Sequence, residues 1–197
     1  MQVAPLFWGI DFGAKLSGTT VLASLKEGLV NIQQCPVRNN SSIWLSENYK
    51  NVLVKPRIIG IDAPLSLPAG YFGEGDLHYR LADRQLKAMS PMFIGGLTAR
   101  AIEWSRKVGS TCIEVYPSGI ADQWLEKGRR RRKADFQLFF KDHFIPKWKS
   151  LTGRDFSGPG PTNIHQLDAL LALYIALSFD KGEATAYGQE EEGLIWI

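Results

Sequence analysis

The first patterned stretch of the chain is an unbroken apolar run, Leu6 to Ile10, followed at once by Asp11 and a Gly-containing break. A run without alternation predicts a strand buried on both faces in the middle of a sheet. Two stretches rich in β-branched residues, Thr19 to Leu25 and Leu29 to Val37, flank "KEG" and predict a hairpin continuing from that strand. After the polar "RNNSS", Leu45, Tyr49 and Val52 recur at helical spacing, with Ser41 or Ser42 as the cap. Arg57 to Ile61 then return to an extended apolar run that ends at Asp62.

The middle of the chain predicts helices over Asp76 to Met89 and Leu97 to Lys107, then a fifth strand within Thr111 to Pro117. Further helical stretches fall around Ala121 to Leu125 and Ala134 to Phe144. Gly153 to Asn163, "GRDFSGPGPTN", is too rich in Gly and Pro for regular structure and reads as a loop. It precedes a largely apolar helix from Ile164 to Phe179, and the tail "GQEEEGLIWI" is a short strand or a docked extension. The expectation is a single α/β domain over residues 1–197 with a five-stranded sheet and a helical insertion around 119–150.

Composition changes this picture little, with 45% hydrophobic and 22% charged residues excluding wholesale disorder. The net charge of +3 does not diagnose a partner, but "GRRRRK", Gly128 to Lys133, gathers five positive charges in one place. Cys35 and Cys112 are too few for a disulfide framework or a cysteine zinc site and read as reduced, buried thiols. The N-terminus has no basic region ahead of its apolar residues, and the longest apolar run, Ala169 to Phe179, is too short to span a bilayer. A cytoplasmic location with no membrane partner is the default expectation. Six tryptophans leave room for an apolar interface, and the oligomeric state stays open.

The chemistry lies in acids that interrupt apolar stretches. "GID" occurs twice, ending the first and fourth strands at Asp11 and Asp62, and two parallel neighbours would bring both carboxylates to one edge of the sheet. Glu114 interrupts "CIEVYP" and Asp168 interrupts "HQLDALLALYIAL" where apolar side chains are expected. A lone buried carboxylate costs several kcal/mol unless a cation or donors meet it. A cluster of such oxygens selects hard divalent cations, Mg2+ or Mn2+. Each acid also has a plain structural explanation: Asp11 and Asp62 can begin turns, Glu114 can pair with a core arginine, and Asp168 can favour a helix dipole. His165, three residues before Asp168, can face the same site, although single histidines are usually half-buried surface residues.

"GIDFGAKLSGT", "IIGIDAPLSLP", "RLADRQL", "IEVYPS", "HQLDALLALYIA" and "EEGLIW", in that order along nearly the whole chain, resemble the DUF429 family of predicted ribonuclease H-like nucleases. The resemblance implies a ribonuclease H-like mixed five-stranded sheet, β-β-β-α-β-α-β-α, with helices on both faces. It implies that Asp11, Asp62 and Asp168 are the acids that hold metal, with Glu114 the glutamate of the fifth-strand motif; the four are the expected catalytic acids, two cations at Asp11, Asp62 and Asp168 activating water and stabilising the leaving oxygen, with Glu114 completing a metal shell or orienting water. Arg80, Asp83 and Arg84 match an Arg-x-x-Asp-Arg phrase. The function implied is metal-dependent hydrolysis of a phosphodiester, with a nucleic acid or nucleotide as substrate. Lys15, Arg80, Arg84 and the run Arg129, Arg130, Arg131 and Arg132 are the candidate phosphate contacts, each with a solvated or salt-bridged alternative. Two rival readings are a nucleotide-binding phosphotransferase, because "DFGAKLSGT" also resembles the phosphate loop of actin-like and sugar-kinase proteins, and an inert nucleic-acid-binding module.

Overall fold

The computed structural model describes residues 6–73, 75–125 and 135–197. The first apolar run forms β1 (Leu6–Asp11), and the hairpin forms β2 (Val21–Lys26) and β3 (Leu29–Gln34). Next come α1 (Ser41–Asn51) and β4 (Pro56–Asp62), then α2 (Leu81–Leu86), α3 (Gly95–Lys107) and β5 (Thr111–Val115). The helical stretch that follows is α4 (Pro117–Trp124), α5 (Phe136–Phe139), a π turn over Phe140–Phe144 and α6 (Ile145–Thr152). The chain closes with α7 (Ile164–Asp180), β6 (Ala186–Gln189) and β7 (Gly193–Trp196).

The strands form a seven-stranded mixed sheet in the order β3-β2-β1-β4-β5-β7-β6, which corrects the expected five. The tail forms an antiparallel hairpin whose second strand adds to β5 in parallel. Each tail strand has only four residues and carries a glycine at positive φ, Gly188 and Gly193, so neither shows the alternation that marks a longer strand. β1 pairs with β2 antiparallel and with β4 in parallel, and β4 pairs with β5 in parallel.

Helices cover both faces. One face packs α7 with α4, α5 and α6 through a core that includes Val115, Phe144, Trp148, Leu170 and Leu173. The other packs α1 and α3 over Trp8, Ile10, Ile59 and Ile61. Glycine permits the closest approach: a Cβ on Gly9 would lie 2.1 Å from the Leu173 nitrogen, and one on Gly60 would lie 2.5 Å from the Ala172 carbonyl oxygen. The two "GI" dipeptides are therefore slots in which α7 lies against the sheet.

Several helix boundaries differ from expectation: α4 begins at Pro117 instead of Ala121, and the stretch expected to end at Phe144 continues through α6 to Thr152. Asn40, not Ser41 or Ser42, caps α1, its side chain accepting from the Ser42 amide at 3.1 Å. The helix expected over Asp76 to Met89 contracts to α2, because Arg80 is extended and forms a capping box with Asp83, while Lys87 ends the helix at φ 54°. Cys35 lies just past β3, and neither cysteine forms a disulfide. Among the described residues no helix is long and apolar enough to cross a membrane. Arg129, Arg130, Arg131 and Arg132 lie outside the described residues.

Candidate active site

Register decides which acids meet. Asp11 and Asp62 are direct partners across β1 and β4, so their Cα atoms stand about 4.8 Å apart at the same level. Side chains alternate along a strand, and Asp11 and Asp62 lie two residues beyond Gly9 and Gly60, so both face α7. β5 has the opposite parity. Glu114 pairs with Ile61 and shares that residue's face, while Val115 turns toward α7 and approaches the Gly60 position.

α7 runs back along β1, since His165 in its first turn meets Asp11 and Leu173, two turns later, meets Gly9. The His165 Nδ1 lies 2.7 Å from the Asp11 Oδ2. Asp168 lies one turn before Ala172, which sits against Gly60, and is half-buried on the same helix. The Asn163 side chain caps α7 by accepting from the Gln166 amide at 3.0 Å and donates to Gln34 at 2.9 Å. Gln34 in turn donates to the Gly18 carbonyl at 2.7 Å, which ties the helix start to the end of β3 and the loop after β1.

Asp11, Asp62, Glu114, Asp83 and His165 all line one cleft of about 230 Å³, with an apolar wall formed by Ala88, Met89, Ile94 and Leu97; Asp168 is not among the lining residues. Two adjacent carboxylates in such a cleft supply hard oxygen ligands, and Mg2+ is commonly held by one or two carboxylates with waters and substrate phosphate completing its shell. The donor chemistry therefore fits one such ion. Among the described residues no group of three or more His, Cys, Asp or Glu side chains is arranged to hold a metal.

Glu114 meets its cation from within the chain. Its Oε1 accepts from Arg80 Nη2 at 2.6 Å, and its Oε2 accepts from Arg80 Nη1 at 2.7 Å and from the Leu65 amide at 2.8 Å. Asp83 holds the other side of the same guanidinium at 2.7 Å and 3.1 Å. Burial drives the Glu114 carboxyl upward, against the Arg80 guanidinium and the Leu65 N–H that favour its charged form. Burial alone would lower Arg80, but its bonds to Glu114 and Asp83 outweigh that and raise it further. Arg80 is fully buried, so the anion it clamps is internal. Arg84 is exposed, pairs with Asp76 and lies over the Tyr79 ring, and Lys15 is exposed in the loop after β1.

Two further residues shape the site, and the sequence does not single them out. Glu192, in the turn between β6 and β7, accepts from the Ala69 amide at 3.0 Å and the Leu81 amide at 2.8 Å, fastening the segment after β4 to the tail. Nothing in "EEE" distinguishes Glu192 from Glu190 and Glu191. Arg100 on α3 donates to the Gly13 carbonyl at 2.7 Å and to Ser41 Oγ at 2.9 Å, and stacks over Phe12. Its only signal is its place beside the buried stripe of Thr98, Ala101 and Trp104.

No protein-family model matches the chain, and no curated protein matches it. Among solved structures, T. thermophilus RuvC in complex with a Holliday junction substrate is similar over 94% of this chain and 99% of that one, at 15% identity and a TM-score of 0.43.

Proposed function

We propose that the protein hydrolyses a phosphodiester with the help of one Mg2+ or Mn2+ ion held by Asp11 and Asp62. The observation that carries this reading is their direct pairing at the ends of two parallel strands, in one cleft, with His165 on Asp11. A bound divalent ion would polarise the phosphoryl oxygen and favour a hydroxide nucleophile at neutral pH. Asp11 and Asp62 would hold that charge, and the 2.7 Å contact from His165 fixes the orientation of the Asp11 carboxylate. Asp168, on the next turn of α7 after His165, would add a further carboxylate near the site. Glu114 acts as a positioning residue: through Arg80 and Asp83 it anchors the segment leading to the apolar wall of the cleft. Lys15 and Arg84 are exposed contacts for flanking phosphates, and a nucleic acid or nucleotide is the substrate class that the resemblance of its motifs to DUF429 proteins suggests.

The phosphotransfer reading has less support, because the Gly13 N–H that a nucleotide phosphate would need donates to Thr20 Oγ1 at 3.0 Å. The test is hydrolysis of bis(p-nitrophenyl) phosphate and of labelled single- and double-stranded oligonucleotides, with Mn2+, Mg2+ or excess chelator. The reading expects turnover that requires the divalent ion and disappears in Asp11→Asn. Binding of oligonucleotide with no cleavage under either ion would instead support an inert binding module.

A further inference from the structure

Among the described residues, the exposed Phe, Tyr and Trp side chains are Tyr71, Phe72 and Phe93, and all belong to the connection from β4 to α3. The same stretch of chain builds the cleft. Met89, Ile94 and Leu97 form its apolar wall, Met89 is 61% exposed, and Phe93, the chain neighbour of Ile94, is 65% exposed. An apolar surface of this kind at the lip of a binding cleft marks a place where something else packs. Phe93 is held in place: its ring meets the Tyr79 ring edge-on at 5.7 Å and tilts toward the exposed His78 ring at 6.3 Å. Its amide donates to the Ser90 carbonyl at 3.1 Å, and Ser90 Oγ donates to the His78 carbonyl, which ties the rings to one ordered turn. Cations edge them. Arg84 lies over the Tyr79 ring at 5.2 Å while paired with Asp76, and Lys87, exposed at the end of α2, forms no ion pair among the described residues.

We infer that this face is a stacking surface for unpaired nucleobases, so that the substrate enters the cleft as a single strand. The inference rests on the hydrolytic reading only for the place of the scissile phosphate. A phosphate held at Asp11 and Asp62 puts its neighbouring nucleotides on the lip of the cleft, where Met89, Phe93 and His78 present apolar and ring surface. In a duplex the bases face one another, and sugar and phosphate alone reach such a surface, which leaves the rings in water. Unpaired bases offer flat π faces that cover them, and stacking of this kind tolerates any base. The phosphates between those bases suit Arg84 and Lys87, which supply positive charge beside the rings without reading sequence.

Fluorescence anisotropy of a labelled thymidine oligonucleotide, measured in excess chelator so that nothing is cleaved, reads this surface apart from hydrolysis. The single strand should bind about tenfold more tightly than a hairpin duplex of equal length, and a strand of abasic residues should bind no better than the duplex. Phe93→Leu keeps apolar bulk and removes the ring. It should weaken single-strand binding about tenfold, the loss of one base stack, and leave the abasic strand unchanged, while Phe93→Trp should bind as tightly as the wild type. Lys87→Met should weaken the thymidine and abasic strands alike, because a phosphate contact does not sense the base. Thermal denaturation checks folding, and Met89→Ala, at an exposed side chain, gives the same comparison should Phe93→Leu not fold. Equal binding by wild type and folded Phe93→Leu, no preference for the thymidine strand over duplex or abasic backbone, or no binding by the wild type would overturn the inference, the last marking the face for a protein partner. Single-strand binding with no cleavage when Mn2+ is supplied would end the hydrolytic reading and leave the stacking surface supported. Cleavage of single strand and duplex at equal rates would do the reverse.

Discussion

Two acidic groups lie a few ångströms apart on neighbouring strands and have opposite surroundings. Asp11 is met by an imidazole at the mouth of a cleft, where its side chain is 14% exposed and that of His165 is 33% exposed. Glu114 is met by a guanidinium in the interior, where the Arg80 and Asp83 side chains are 1% and 0% exposed. The difference comes from strand parity. Asp11 and Asp62 follow Gly9 and Gly60 by two positions and face α7, while Glu114 pairs with Ile61 and faces the other way. All of them line one cleft, but the carboxylates on the α7 face stand beside His165, whereas Glu114 on the opposite face is taken up by the arginine that fastens the β4–α3 connection. Acids that look alike in sequence thus divide into a pair able to hold an ion and a partner of a structural cation.

The largest test of this contrast is Arg80→Met. Removing the guanidinium strands two buried carboxylates, so stability to urea should fall by about 3–5 kcal/mol, the cost of breaking a buried ion pair on one side. The double change Arg80→Met with Glu114→Gln should recover part of that loss, whereas a single change costing under 1 kcal/mol would show that the network is solvated. Gly9→Ala should also destabilise, by less, because its Cβ would lie 2.1 Å and 2.3 Å from α7 backbone atoms. The expected loss is about 1–3 kcal/mol or more, accompanied by a changed His165 ring environment in NMR spectra. An unchanged His165 spectrum would separate the helix contact from the geometry of the site.

A smaller effect is expected at Glu192→Ala, which removes the acceptor of two backbone N–H groups. About 2 kcal/mol should be lost in urea unfolding, with hydrogen exchange rising at Ala69 and Leu81 in particular. The smallest concerns Cys112, which shares the Glu114 face of β5 and whose thiol is pushed up to about 12 by burial. It should resist iodoacetamide at pH 8 in the native protein and react on unfolding, because the thiolate is the nucleophile. Rapid native labelling would mean that this face opens to solvent.

Much of the sheet is legible because its central strands announce themselves. "LFWGID" and "IIGID" are continuous apolar runs, and a parallel neighbour for each is what places both aspartates at one edge. The tail hairpin is less legible, since four-residue strands hinge on two glycines and on the proximity of β5, a long-range fact. α2 is overestimated for a related reason: Asp76, Arg80, Asp83 and Arg84 look like helix-surface charges, yet Arg80 and Asp83 turn inward to each other and to Glu114. At the site, the pairing of Asp11 with Asp62 follows from repeated motifs, whereas the partner of Glu114 depends on one residue of register. The roles of Arg100 and Glu192 come from tertiary contacts that no local pattern encodes.

The most direct test of the division between the two acidic groups is calorimetric titration of Mn2+ into the wild type, Asp62→Asn and Glu114→Gln, with folding checked by thermal denaturation. One ion should bind the wild type, binding should vanish in Asp62→Asn, and it should persist in folded Glu114→Gln. Binding that survives in Asp62→Asn, or that disappears from a folded Glu114→Gln protein, would contradict the assignment of the ion to the α7 face.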